Sequence, residues 1–395
     1  TTLFRSAVVL MAALGGCAND SVLAGGDDML TEFVNGDFLP ITYAVSADEA
    51  VTRSETLEGD FRVLAWMYDA SATTPLYNNG DEELWVGSEI LAGRYRGETV
   101  SNSGGVWSTT ATHYWPRGWF NVDFYATHPA TLPDIYTTTD DSDPENPYTY
   151  KGVTLTVPAN GTPADMLYAF TTTNRDATDN GAVALQFSHA LSQVSFMGKT
   201  TNAGWHVSVS GMSLHNVCST GTFDIKRGEW NAASLTGTTD YTLALPNGEA
   251  VTFDASDEAT ALTSDAMPQM LIGQRLDAWD TSESIEENDA AGGTRGCYVR
   301  LTCLITSTAN GSEENILPAN GIPTEIFVPF SNGTSGWEPG KHYVYTLNFG
   351  GGYDASGQLN LAPVTLTSSV VPWNEGVTVT GNSFVTPMSW CVRSN

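Results

Sequence analysis

The sequence predicts an all-β protein in which two tandem domains each form an antiparallel β-sandwich. Its composition favours Thr, Gly, Val and aromatic residues, which suit pleated strands and tight turns rather than helices. Short strand-like segments separated by turn residues recur along the chain, a spacing that favours a sandwich over alternating βα units. The length of 395 residues suits two domains of about 150 to 200 residues each.

The chain begins with an apolar run, residues 7–14, which follows Arg5 and is closed by Cys17. The run is far shorter than the ~20 residues needed to span a bilayer, so it predicts a signal peptide over residues 1–16. The letters LGGC that end at Cys17 resemble the lipobox of bacterial lipoproteins, in which the cysteine sulfur carries diacylglycerol. We therefore expect a lipid on Cys17 that anchors the mature chain. An ordinary secretory signal with a chance cysteine is the alternative.

Residues 17–53 are expected to form a lipidated tether and a first strand. The polar, Gly-containing stretch 18–37 is typical of a flexible tether. In the next segment, 38–46, apolar residues alternate with others, which predicts a half-buried strand. The alternating set consists of Leu39, Ile41, Tyr43 and Val45. Arg53 follows in the polar sequence ADEAVTRSETLEGD, which we expect to be an exposed loop.

The remaining strand-like segments fall into two sets, which predict an N-terminal domain over residues 54–200 and a C-terminal domain over residues 201–395. The first set consists of residues 61–69, 121–129, 152–158 and 183–198. The second set includes residues 204–217, 297–306, 324–330 and 341–350. In the last segment of the first set, His189 falls in phase with apolar residues, so we expect a hydrogen-bonded core histidine.

Charge and motif content exclude several classes of function. Acidic residues outnumber basic ones so strongly that the formal net charge is −29. Nucleic-acid binding draws its affinity from Lys and Arg that neutralise phosphates, so nucleic acid is not an expected partner. The sequence has no H-E-x-x-H, G-x-S-x-G, P-loop or Rossmann glycine pattern, and its histidines lack metal-ligand spacing. We therefore expect no enzyme activity, catalytic residue, metal or cofactor.

Four cysteines remain after Cys17, and their redox state is open from the sequence: Cys218, Cys297, Cys303 and Cys391. Cys297 and Cys303 lie on one predicted strand, roughly 20 Å apart at ~3.3 Å per residue, which is too far for a mutual disulfide. The cell envelope would permit a disulfide between different strands. Buried free thiols fit equally well, because cysteine behaves as a small hydrophobic residue.

Several motifs, taken in order, carry a family resemblance. In the first half they are LGGC, TRSE (52–55), HYWP (113–116), VDFYATHP (122–129) and LQFSHALSQVSF (185–196). In the second half they are MSLHNVCSTGTFD (212–224) before Trp230, QMLIGQ (269–274), WEPGKHYVYTL (337–347) and VVPWNEG (370–376). With these motifs the chain resembles, over nearly its whole length, the fimbrillin-like proteins of Bacteroidales, lipoprotein-derived subunits of type V pili. It departs from the family in the MLIGQ segment, where the family often has a proline near that glycine, and in a tail that continues to MSWCVRSN.

The resemblance implies transthyretin-like β-sandwich domains and maturation at the outer membrane. There an Arg-specific protease would cut the lipoprotein precursor, on this sequence between Arg53 and Ser54, and remove the tether together with strand 38–46. The vacated groove would accept an extended strand from a neighbouring subunit, and such head-to-tail exchange yields a filament. The alternative for Arg53 is a solvated arginine in an uncut loop.

A candidate donor strand lies in the C-terminal tail, residues 375–395, with Val377, Val379 and Phe384 as its apolar side chains. Pro387 interrupts this tail and permits only an edge or terminal strand. The tail is therefore equally compatible with the last strand of the second domain.

We therefore expect a structural subunit of a cell-surface pilus that contributes to adhesion. Its partners would be other pilus subunits, the maturation protease and an unidentified host or bacterial receptor. The alternative is an outer-membrane lipoprotein that stays anchored and binds glycans through exposed aromatic residues. Exposed rings would support that alternative, whereas buried rings would belong to the core. The rings concerned are Trp66, Trp85, Trp107, Trp115 and Trp119.

Overall fold

The chain divides into two compact units, each made of more than one stretch of sequence. The computed structural model describes residues 39–47, 57–69, 83–91, 93–116, 120–140, 148–160, 164–178, 181–264, 269–308 and 311–373. Unit 1 takes the described residues of Thr1–Leu155, Asp165–His189 and Thr222–Asn231, and unit 2 those of Thr156–Ala164, Ala190–Gly221 and Ala232–Asn395. The limits 54–200 and 201–395 stay a prediction, and the interleaving of the units is a feature that the sequence did not indicate.

Strands dominate the described residues, which confirms the all-β class. The first strands are β1 (Thr42–Ala47), β2 (Phe61–Asp69), β3 (Glu83–Val86), β4 (Ser88–Leu91), β5 (Arg94–Arg96), β6 (Glu98–Ser103), β7 (Val106–Thr109), β8 (Phe120–His128), β9 (Ile135–Asp140), β10 (Tyr148–Thr156), β11 (Leu167–Thr173) and β12 (Ala182–His189).

Those that follow are β13 (Ser192–Lys199), β14 (Trp205–Asp224), β15 (Glu229–Trp230), β16 (Thr236–Thr242), β17 (Val251–Asp254), β18 (Thr260–Ala261), β19 (Gln269–Leu271), β20 (Tyr298–Ser307), β21 (Glu314–Leu317), β22 (Thr324–Pro329), β23 (Lys341–Asn348) and β24 (Thr365–Pro372). One α-helix, α1 (Ile285–Asp289), lies among the described residues, with Ser284 and Glu287 forming a capping box at its start. Short 3-10 turns cover Arg175–Ala177, Ala232–Ser234 and Pro246–Gly248.

Among the described strands of unit 1, seven form a closed ring of paired neighbours. The order is β2, β6, β7, β1, β12, β11 and β8, and β8 pairs again with β2. In this ring β1 runs parallel to β12 and antiparallel to β7. The parallel pair departs from the antiparallel pattern that the sequence suggests. It joins two strands that are far apart in the sequence, β1 and β12. The transthyretin-like topology stays a prediction.

The interior of the ring is filled by alternating side chains, as the period-2 pattern of the strands predicts. In β12, Val183, Leu185 and Phe187 are buried while the residues between them are more exposed. Phe61 of β2 lies near the middle of the cluster, and its ring centroid is 5.3 Å from that of Phe187. His189 at the end of β12 is buried and contacts the Asp165 carboxylate at 2.8 Å, which confirms the expected core histidine.

Unit 2 is built around two groups of strands. In the first, β14 pairs antiparallel with β16, β17 and β20, and β20 pairs with β21 and β22. In the second, β13 runs parallel to β23 and antiparallel to β18 and β19, while β24 pairs with the other side of β23. Large side chains such as Phe196, Phe330 and Tyr345 are fully buried between these strands.

Three of the cysteines left open by the sequence lie in unit 2 as free thiols. Cys297 and Cys303 are buried, and Cys218 is partly buried. Burial raises the pKa of the Cys303 thiol to about 12, so this group stays protonated and unreactive at neutral pH. Cys391 lies outside the described residues.

The last residues of β14 and the short strand β15 form a hairpin in unit 1, in which Phe223 pairs with Trp230. The Asp224 carboxylate accepts the backbone N–H groups of Lys226 at 2.9 Å and Arg227 at 3.1 Å. Burial nevertheless raises the pKa of Asp224 to about 6, because desolvation outweighs these hydrogen bonds and the nearby Arg227 charge.

We expect Asp224→Asn to stabilise the protein at pH 7 and to have little effect near pH 3.5. The folded state binds the Asp224 proton more tightly than the unfolded state, so wild-type stability falls as the pH rises from about 4 to about 6 and stays lower above that range. Asparagine removes that penalty, on the order of 2 kcal/mol, and keeps the oxygen that caps the turn. Urea unfolding of both proteins across pH 3.5–7.5 measures the difference. The exposed control Glu249→Gln should show no such divergence, and parallel curves for Asp224→Asn would contradict the assignment.

Candidate functional site

β1, the first strand among the described residues, is a member of the unit 1 ring and has a paired strand on each side. On one side β1 forms a parallel ladder with β12, in which Thr42 lies opposite Ala182 and Ala47 opposite Phe187. On its other side Tyr43 pairs with Trp107 of β7. A strand in such a position satisfies backbone groups of two neighbours at once.

The segment between β7 and β8 continues the pairing on this second side to residues 39–41, which precede β1. The Ile41 N–H donates to the His113 carbonyl at 2.8 Å, and the Trp115 N–H donates to the Leu39 carbonyl at 3.0 Å. Pro40, which has no N–H, forms an isolated bridge opposite Tyr114. The HYWP motif therefore forms part of the wall beside the chain that leads into β1, on the side opposite β12. The sequence alone did not indicate this role.

The four side chains predicted to alternate on the first strand all contact the core of unit 1. Ile41 and Tyr43 are only 3% and 4% exposed, and Leu39 and Val45 are partly buried against the same cluster. Ala44, between them, is exposed. The observed β1 begins at Thr42 rather than at residue 38, because Pro40 interrupts the regular ladder. Its role as a displaced strand stays a prediction.

Aromatic rings form the floor beneath β1. The Tyr43 ring meets Phe61 edge-on at 5.9 Å between centroids and Phe124 at 6.3 Å. Phe61 also contacts Trp107, with centroids 5.4 Å apart, and Trp115 meets Phe124 at 5.7 Å. Without β1 this floor would be an apolar groove with unpaired backbone groups on both walls.

Gly181 closes the end of the groove where the chain enters β1. Its carbonyl accepts the Thr42 N–H at 3.3 Å and the Trp115 indole N–H at 3.0 Å. Its φ is +83°, and a Cβ at this position would lie 2.4 Å from the Pro40 carbonyl oxygen. Glycine is therefore required here both by backbone conformation and by the close approach of β1.

We expect Gly181→Ala to lower the free energy of unfolding by about 2–3 kcal/mol and to loosen β1, because positive φ and the clash with Pro40 act together. Hydrogen exchange followed by mass spectrometry should show faster exchange in residues 39–47. The matched control is Gly104→Ala, whose φ is +62° but whose Cβ would meet nothing within 4 Å. Gly104→Ala should lower the free energy of unfolding by about 1 kcal/mol and leave the amide hydrogens of β1 protected from exchange. Equal effects of the two variants would contradict the role of Gly181.

Other predicted site residues lie outside the described residues. These are Cys17, Arg53, Ser54, Val377, Val379 and Phe384, and also Trp119. Their lipidation, cleavage and donor roles stay predictions.

The described tryptophans of the first domain belong to the core rather than to a sugar-binding row. Trp66 and Trp115 are buried, and Trp85 and Trp107 are partly buried against the apolar cluster of unit 1. The Trp85 indole N–H donates to the Tyr114 carbonyl at 3.0 Å. Rings held in this way present little free face for stacking on a sugar.

A Ser-His-Asp contact set occurs in unit 2, but its geometry does not suit nucleophilic catalysis. The Ser213 hydroxyl lies 2.8 Å from His215 Nε2, and His215 Nδ1 lies 3.1 Å from Asp240 Oδ2. Arg300 Nε donates to the same serine oxygen at 3.3 Å, and Ser213 is buried. The Tyr298 ring stacks on the histidine. A catalytic serine needs an aligned base and an accessible oxygen.

Among the described residues no helix has the length and apolar character needed to cross a bilayer. The fold defines an all-β protein of two units, in which β1 completes a ring of paired strands in unit 1. The chain belongs to the fimbrillin-like family, whose sequence profile matches residues 55–373.

One solved structure resembles the chain in its fold, and a second was matched with a lower score. The crystal structure of a fimbrial protein from Bacteroides vulgatus superimposes with a TM-score of 0.53 at 13% identity, covering 84% of this chain and 99% of that one. The tip fimbrial protein Mfa3 from Porphyromonas gingivalis, solved with a C-terminal truncation, matches with a TM-score of 0.34 at 11% identity, covering 85% and 100%. No curated protein matches the chain.

Proposed function

We propose that this chain is a subunit of a cell-surface pilus, in which proteolysis frees β1 and a strand from a neighbouring subunit takes its place. Membership of the fimbrillin-like family supports the pilus role. The observation that carries the exchange step is the position of β1 between β7 and β12 with Ile41 and Tyr43 buried in the core.

The energetics favour replacement over simple loss of the strand. Burial of the Ile41 side chain contributes about 1.5–3 kcal/mol, and the aromatic ring of Tyr43 adds apolar contact, so β1 remains bound for a time after a cut in the following loop. Its loss would leave two unpaired strand edges and an apolar floor, which a second extended strand can cover by β-augmentation. Because donor and acceptor surfaces differ, exchange from subunit to subunit does not close and produces a filament.

In this proposal Cys17 carries the lipid that holds the precursor at the outer membrane, and an Arg-specific protease cuts between Arg53 and Ser54. Arg53 lies just after β1 in the chain, and the family match begins at residue 55. Cleavage there would separate the anchor and β1 from the matched part of the chain. The tail at residues 375–395, with Val377, Val379 and Phe384, is the proposed donor, and adhesion is the proposed role of the assembled fibre.

The experiment treats the purified full chain with an Arg-specific protease and follows assembly by gel electrophoresis without boiling. We expect a new N-terminus at Ser54, release of the fragment that contains β1, and a ladder of stable oligomers. The matched control is Arg53→Lys, which keeps the charge but should resist the protease and stay monomeric. A ladder from uncut Arg53→Lys protein, or no ladder after complete cleavage, would refute the exchange mechanism.

A second variant tests the donor. A chain that ends at Gly376 should be cleaved normally but should form no ladder by itself, because it lacks the proposed donor strand. Normal polymerisation of this truncated chain would assign the tail to the second domain instead. The buried tryptophans of unit 1 give no support to the glycan-binding alternative.

A further inference from the structure

Tyr43 has an uncommon environment for a buried tyrosine. Its side chain is 4% exposed, and its hydroxyl has no hydrogen-bond partner among the described residues. Buried tyrosines elsewhere in the described chain are paired: the Tyr68 hydroxyl donates to Asp123 at 3.3 Å, and the Tyr241 hydroxyl donates to the Val157 carbonyl at 3.2 Å. The unpaired hydroxyl therefore distinguishes Tyr43 from the other buried tyrosines among the described residues.

Glu98, whose charge acts on Tyr43, does not hydrogen-bond to this hydroxyl. Burial, and to a lesser degree the charge of Glu98, raise the pKa of Tyr43 well above its ordinary value. Both carboxylate oxygens of Glu98 instead lie 2.8 Å from His113 Nε2. The His113 carbonyl also accepts the Ile41 N–H, so the residue that contacts Glu98 is itself part of the groove wall.

A buried hydroxyl without a partner loses its hydrogen bonds to water and gains none in the protein. The ring of Tyr43 fits its place, since it makes edge contacts with Phe61 and Phe124. The unfavourable part is the polar tip alone. A phenylalanine at the same position would keep the ring contacts and remove the desolvation cost.

We propose that the Tyr43 hydroxyl makes β1 a weakened occupant of its groove, and that the groove selects an incoming strand with an apolar aromatic side chain at this position. The inference rests on the proposed function and adds to it the chemistry of the partner strand. Such a strand would displace β1 with a net gain in affinity, which gives the exchange a direction.

Tyr43→Phe in the full chain tests the inference before any cleavage. We expect the equilibrium constant of unfolding to fall about tenfold, the reverse of the usual effect of removing a buried tyrosine hydroxyl. The matched control is Tyr68→Phe in the same unit, whose hydroxyl is paired, and its equilibrium constant should rise. A Tyr43→Phe protein no more stable than wild type would overturn the inference.

The second measurement follows release of the β1 fragment after proteolysis. The fragment with phenylalanine should leave about tenfold more slowly, and a synthetic peptide of residues 38–47 carrying phenylalanine should bind the emptied protein about tenfold more tightly than the natural peptide. Equal release and equal binding would overturn the inference even if the full chain is stabilised. If the wild-type fragment never leaves, the proposed exchange fails, and the unfolding comparison still decides whether the hydroxyl weakens β1.

Discussion

Lys226→Met is expected to lower the free energy of unfolding by about 3–5 kcal/mol, because it leaves the buried Asp123 carboxylate without its cation. Lys226 Nζ lies 2.6 Å from Asp123 Oδ2, and the aspartate is fully buried. Tyr68 and Thr172 also donate hydroxyl groups to Asp123, but neutral donors do not replace the charge. Urea unfolding at neutral pH measures the loss.

Two further variants separate this effect from simple loss of a lysine. Arg275→Met removes an ion pair of the same length, 2.6 Å to Asp277, in which both side chains are mostly exposed, and it should change stability by less than about 1 kcal/mol. The double variant Lys226→Met with Asp123→Leu should recover much of the loss, because no buried charge remains. If Lys226→Met lowers the free energy of unfolding no more than Arg275→Met does, the ion pair between Lys226 and Asp123 does not stabilise unit 1 as inferred.

Phe61→Ala should be the most damaging change beneath the first strand, with a loss of about 3–5 kcal/mol. Phe61 is fully buried, and its ring contacts Tyr43, Trp107 and Phe187, which belong to three different strands. The resulting cavity would lie directly below β1. We therefore expect residues 39–47 to exchange amide hydrogens much faster in the variant, as measured by mass spectrometry.

Phe196→Ala is the matched control for this prediction. Phe196 is also fully buried, but it lies in unit 2 and packs on Phe330 and Tyr345. The variant should lose a similar amount of stability while exchange in residues 39–47 stays slow. Fast exchange of β1 in both variants would show that its protection depends on global stability and not on the aromatic floor.

Local pattern was sufficient to predict the strand and its buried face. The alternation of Leu39, Ile41, Tyr43 and Val45 is a property of neighbouring residues, and the same holds for the phase of His189. The neighbours of β1 could not be predicted this way, because parallel pairing with β12 depends on contacts between distant parts of the chain. The sequence also gives no sign that the Tyr43 hydroxyl has no hydrogen-bond partner among the described residues, since that depends on how Glu98 and His113 are placed.

The interleaved units and the buried ion pair escaped sequence reasoning for a related reason. Lys226 occurs in a turn sequence that would normally be exposed, and Asp123 is a charged residue between the apolar Val122 and Phe124 of β8. Each residue alone would be expected on the solvent-exposed surface. Burial becomes favourable only because the two side chains form an ion pair within unit 1. Gly181 was missed in the same way, because the sequence contains many glycines. That glycine is required at this position becomes clear only from the close approach of the Pro40 carbonyl.

The parallel ladder between β1 and β12 also constrains the order of folding during synthesis. Thr42 meets Ala182, a residue about 140 positions later, and contacts of such separation form slowly because closing a long loop costs entropy before the contact forms. During synthesis β1 thus has no ladder partner on this side until β12 has been made. Among the described strands of the ring, the earliest to be synthesised pairs with the latest, so the ring cannot close before β12 has been made.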